Sequence, residues 1–198
     1  RGAYLGLIFS AAIFMVLLDR RFIVVGAAGL IALFFVMPDS IISRFTSILD
    51  MTDSSTSYRI SIWMGTVAML RDYWFCGVGT GLSAFSMVYP LYSYNAASSQ
   101  HAHNLYLEIM CETGISGIVV FVILVCSFVR NTASALRRTT DKHTKVQLIA
   151  VLSGAGGFLL QGMTDHSFYN NRVALTFWVL ISIGAMLSKS WGEQKVSQ

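Results

Sequence analysis

His103 and Asn104 stand just ahead of an apolar run, and after a nine-residue gap come Gly114 and Gly117. The spacing puts an imidazole and an amide at the wet mouth of a helix that continues through Ile118–Val125. Histidine's ordinary pKa lies nearest physiological pH, so His103 is the natural general base for chemistry at a membrane surface. Arg59 opens an amphipathic stretch and Arg1 sits at the mouth of another apolar run. An unmatched guanidinium at that depth is expensive and tends to have a job. Two such planar forks would suit a diphosphate through bidentate, charge-assisted hydrogen bonds. Anchors snorkelling to the headgroups would leave the same trace in the sequence.

Other constellations are weaker. His101, His103, Glu108, Glu112, Asp165 and His166 include enough donors for zinc. There is no HExxH, however, and histidines at i and i+2 on a helix point apart, so we expect neither metal nor other cofactor. His166, between Asp165 and Ser167, reads as a wet loop residue. Gly77, Gly79 and Gly81 match neither the Walker nor the dinucleotide pattern and read as a turn between two helices. Cys76, Cys111 and Cys126 form no CxxC pair and read as packing residues.

The elements that must position these groups follow from composition. The chain has 198 residues, 55% hydrophobic and only 12% charged, about half the charge of a soluble domain. Five nearly charge-free stretches stand out: Gly2–Leu18, Phe22–Met37, Thr113–Val129, Val146–Thr164 and Val173–Ser188. Each approaches the roughly 17–25 residues that cross a bilayer. The expected fold is an all-α integral membrane protein of about five transmembrane helices, forming one membrane domain over 1–198. Arg20, Arg21, Arg130, Arg137, Arg138, Lys142, Lys145, Lys189 and Lys195 then share one side, which the positive-inside rule makes cytoplasmic. The loop 38–112 faces outward. Within it, Tyr58–Tyr73 carries Ile60, Trp63, Met64, Val67 and Leu70 at helical spacing, the pattern of a helix lying in the interface. The net charge of +4 is a topology signal, and no basic run carries the interleaved aromatics of a nucleic-acid binder. Beginning at Arg1 without an initiator Met, the chain reads as the C-terminal part of a longer polytopic protein.

The motifs Arg59-Ile60-x-Ile62-Trp63, Asp72-Tyr73-x-x-x-Gly77-Val78-Gly79, His101-Ala102-His103-Asn104-x-Tyr106-Leu107-Glu108 and Glu112-x-Gly114-x-x-Gly117 resemble the O-antigen ligase and polymerase family of bacterial membrane glycosyltransferases. Arg1-Gly2-Ala3 looks like that family's Ser-Arg-Gly motif without its serine. Asp165-x-x-x-Tyr169-Asn170-Asn171-Arg172 with Phe177-Trp178 looks like its Gram-positive variant. The resemblance implies transfer of a glycan from undecaprenyl diphosphate to an acceptor hydroxyl, without metal, outside the bacterial cytoplasmic membrane. It makes His103 the general base, and Arg1 and Arg59 the diphosphate ligands that stabilise departing charge. Asn104 and Glu108 would hold the imidazole tautomer, and Asp165 and Arg172 would close the site.

Two further classes fit the same composition. A polysaccharide or lipid transporter would also place arginines near the bilayer, but would more often show charged or broken spans near the midplane. Here the spans carry little beyond Gly154, Gly156 and Gly157, whose simplest use is close helix packing. A non-catalytic subunit of an envelope assembly would have no need of His103.

Overall fold

The computed structural model describes residues 2–19, 21–36 and 54–194. Every regular element among the described residues is helical: α1 (Gly2–Leu18), α2 (Phe22–Val36), α3 (Ser54–Tyr73), α4 (Leu82–Val88), a 3-10 turn (Tyr89–Tyr92), α5 (Leu105–Arg138), α6 (Lys142–Gly162), a second 3-10 turn (Ser167–Tyr169) and α7 (Asn171–Gln194). Among the described residues, two spans, Leu105–Arg138 and Asn171–Lys189, are long and apolar enough to cross a membrane, and Gly2–Leu18 is apolar but shorter.

Side chains set the helix boundaries. Asp19 accepts from the Arg21 N–H at 2.9 Å and turns the chain between α1 and α2. Asn104 caps α5, its Oδ1 accepting from Tyr106 and Leu107 N–H at 2.9 and 3.0 Å. Asp141 caps α6 through the N–H and hydroxyl of Thr144 at 2.8 and 2.7 Å, and those bonds hold its carboxyl below the usual range. Asn170 caps α7 through the Arg172 N–H at 3.0 Å. Each such cap satisfies an orphan helix donor and is worth about 1 kcal/mol.

The residues form two compact units. The first gathers 54–123 and 162–169. Its core is Ile62, Met69, Leu70, Phe85, Tyr89, Ala97, Ala102 and Cys111. The second holds the remaining described residues. There α1 meets α6 at glycines: a Cβ on Gly157 would lie 2.5 Å from the Gly6 carbonyl oxygen, and one on Gly156 2.8 Å from Ile13. Close packing is therefore the use of those glycines. Phe128, Val151 and Ala155 form a further cluster in this unit, and Phe158 stacks on Phe177 at 4.5 Å.

In α3 the face packed into the unit is not the greasy one. Ser61, Ile62, Gly65, Thr66, Met69 and Leu70 are buried, while Ile60, Met64 and Val67 are exposed. The reason is steric. A Cβ at Gly65 would lie 2.8 Å from the Tyr92 carbonyl oxygen, so the side with small residues is the one that lets the 3-10 turn close in. Cysteine use differs from expectation: Cys111 is buried, whereas Cys76 and Cys126 are exposed.

α5 is broken at Gly114, which holds φ 66 and ψ −162. The break frees the Ile115 N–H to donate to the Trp74 carbonyl at 2.8 Å, while the Val78 N–H donates to the Cys111 carbonyl at 2.6 Å. A Cβ on Gly114 would overlap the Phe75 carbonyl group. One on Gly117 would overlap Thr113, whose hydroxyl bonds back to Ile109 O at 2.5 Å. Both glycines of the motif are thus required by packing. Gly77, Gly79 and Gly81 all have positive φ and form the expected turn between α3 and α4. The Gly81 N–H donates to Glu112 Oε1 at 3.0 Å.

Candidate active site

The site is built on the short non-helical segment that precedes α5. His103 itself has φ 49, a left-handed conformation that costs a non-glycine residue about 1–2 kcal/mol. His101 and His103 are therefore not on a helix, and their rings come together, with centroids 4.2 Å apart. That overturns the expectation that the two would point apart. Glu108, almost fully buried, secures the bend: its Oε2 accepts from the Ala102 N–H, between the two histidines, at 2.5 Å. The Trp63 indole donates to the His103 carbonyl at 3.4 Å. The Tyr58 ring stands edge-on to the imidazole, centroids 6.2 Å apart.

The segment 163–169 completes the site. Asn104 Nδ2 donates to the Met163 carbonyl at 2.8 Å, tying the two segments together. Asp165 Oδ1 lies 3.5 Å from His103 Nδ1, long for a full hydrogen bond. The same oxygen accepts from the His166 N–H at 2.9 Å. The neighbouring His103 imidazole, and then the His166 N–H and the charge of Arg59, hold the Asp165 carboxyl below its usual range despite partial burial. Desolvation pushes His101 down and brings His166 to about 4, so both rings are neutral at neutral pH. Tyr169 lies 4.8 Å from His101, ring to ring.

The site residues expected from the sequence separate accordingly. His103 and Asp165 come together, and Arg59 lies within electrostatic reach of Asp165. Asn104 and Glu108 are adjacent, but they act on backbone groups rather than on the imidazole. Arg172 stands in the first turn of α7, in the other unit, exposed. Arg1 lies outside the described residues. His166 is buried, 9% exposed, and is not the wet loop residue expected; its packing against His101 and Tyr169 has no local signal. His101, His103 and Asp165 offer ligand atoms all within 4.8 Å of one another, a geometry that could take a divalent cation.

The imidazole, its carboxylate neighbour and a nearby guanidinium sit at the head of a long apolar helix, and the segment carrying His103 lies within residues 1–122, which match the family model described as O-antigen ligase. The chain belongs to the O-antigen ligase family. This is a membrane-integral family of polysaccharide assembly, in keeping with the two apolar helices α5 and α7. No individual curated protein matches the chain significantly. The O-antigen ligase match ends ahead of Asp165, so that residue joins the site by tertiary structure alone.

Proposed function

We propose that this O-antigen ligase family member transfers a glycan from an undecaprenyl-diphosphate carrier to an acceptor hydroxyl, as ligase or polymerase, on the extracytoplasmic face of the bacterial cytoplasmic membrane. In this reading the chain is one membrane domain of about five spans, with 38–112 as an outer loop. The exposed Ile60, Met64 and Val67 of α3 would then meet lipid at the interface.

The observation that carries the reading is the approach of Asp165 to His103 Nδ1. A carboxylate at Nδ1 fixes the tautomer with the proton there, which leaves Nε2 as the proton acceptor. His103 Nε2 takes the acceptor's hydroxyl proton as that oxygen bonds to the anomeric carbon. The bond from the anomeric carbon to phosphate oxygen breaks, and the diphosphate leaves with the electron pair. Arg59, with Arg1 and Arg172 as the further candidates, stabilises that charge.

The test uses the full-length protein in bilayers with an undecaprenyl-diphosphate glycan. His103→Ala should lose roughly 10²–10⁴-fold in transfer rate while still binding donor. Arg59→Lys should also lose activity, because it keeps the charge but not the fork. Undiminished transfer by His103→Ala would overturn the assignment of the base.

A further inference from the structure

Beside the base, α3 and the segment 93–98 enclose a groove of about 570 Å³, within the roughly 300–1,000 Å³ of small-molecule sites. Ser54, Ser57, Ser61, Asn95 and Ser98 line it, with Tyr58 as the aromatic wall. Among the described residues, none of its lining side chains is charged. Hydroxyls and an amide both donate and accept, which matches the hydroxyls of an uncharged sugar. A diphosphate would call for cations instead.

The groove is fixed in shape. The Tyr58 hydroxyl donates to the Ser98 carbonyl, so the ring is held at both ends of its side chain. Ser61 is nine-tenths buried, and Asn95 Nδ2 reaches its Oγ at 3.4 Å. Opposite, Tyr94–Ala97 turns back on itself, the Ala97 N–H donating to the Tyr94 carbonyl at 3.1 Å. The Ser93 hydroxyl donates to the Ala97 carbonyl at 2.7 Å and braces the turn. Its central residues Asn95 and Ala96 have φ 52 and 53, the left-handed pair of a type I′ turn. Ala96 there is unusual, because glycine normally relieves that position. Among the described residues only Asn95, Ala96 and His103 are non-glycines with positive φ. Such strain gathers at functional sites, and here it falls on the groove wall and on the base.

Tyr58 belongs to both places, since its ring borders the groove and meets His103 edge-on. One ring therefore separates the base from the groove. Resting on the glycosyl-transfer reading above, we propose that the groove is an acceptor subsite. It binds the uncharged sugar next to the one whose hydroxyl reacts at His103.

The experiment places p-benzoylphenylalanine at Ser57 of the full-length protein in its host bacterium and irradiates the cells. The control is the same substitution at Ser83, exposed on α4 outside the groove. A periodate-sensitive glycan adduct at Ser57, free of phosphate and absent at Ser83, is expected. In bilayers, with short chains from the host's own surface polysaccharide as acceptor, Ser57→Trp should raise the acceptor KM about tenfold or more and leave the donor KM as in wild type. No adduct at Ser57, an adduct that retains lipid diphosphate, or an unchanged acceptor KM would each overturn the subsite. Failure of the base assignment is read separately, from His103→Ala transferring as well as wild type.

Discussion

Asp165 and the two neutral histidines make the imidazole cluster sensitive to acid. His166 titrates at about 4 in the folded chain because burial disfavours its charge, against about 6.5 when unfolded. Between those values the unfolded chain binds the proton and the folded one does not, so stability falls as pH drops through that window. His101 is shifted in the same direction. Asp165 has the opposite chemistry: its ionised form is favoured by folding, and that contribution is lost only as pH falls through its depressed value. We expect the melting temperature of the purified protein to decline from about pH 6.5 toward 4, and His166→Phe to flatten the decline; an equal slope in both proteins would contradict the cause given. The same cluster should make the enzyme zinc-sensitive. Zinc held by His101, His103 and Asp165 would occupy the base, so micromolar zinc should inhibit transfer and a chelator should restore it. His101→Gln should weaken the inhibition, and inhibition of equal strength in that variant would place the zinc elsewhere.

At the scale of the elements, the break in α5 does the positioning. Gly114→Ala would force a Cβ into the Phe75 carbonyl at a positive φ. The conformational and overpacking costs together come to about 2–5 kcal/mol. The measurable outcome is loss of folded protein from detergent extracts, and normal yield and melting temperature would refute it. Part of this was legible in the sequence. The gap from Asn104 to Gly114 and Gly117 marks a helix mouth, whereas the cap at Asn104 and the break at Gly114 emerge only in the structure. The packed face of α3 was not legible. Its apolar residues at helical spacing mark the face offered to the interface, but the small residues Ser61, Gly65 and Thr66 decide which side a neighbouring backbone can approach. Nor was the meeting of His101 with His103 legible, since it depends on a left-handed residue that no periodicity announces. Asp165 and His166 come from a segment far along the chain, and only tertiary folding says which side chains they meet.

For the molecule as a whole, exposed thiols offer a reading of orientation. Cys76 is exposed in the turn after α3, and Cys126 is exposed on the apolar length of α5. With the loop 38–112 outside the cell, a membrane-impermeant maleimide should label Cys76 in intact cells, while Cys126, facing hydrocarbon, should resist it. Labelling of Cys76 only after the membrane is opened would invert the proposed orientation. Cys111, fully buried, serves as the internal negative control.

The pairing of His103 with Asp165 has a consequence for how the enzyme comes into being. His103 lies just before α5 and Asp165 just after α6, where Gly162 packs against Leu105. During synthesis the imidazole is made first and stays without its carboxylate until both long helices have been completed and the chain has come back to where α5 began. On the proposed assignment, catalytic competence is therefore a late event in the life of the nascent chain. A ribosome that stalls within α6 leaves behind a protein that can be inserted and partly folded, yet lacks half of the proposed catalytic pair.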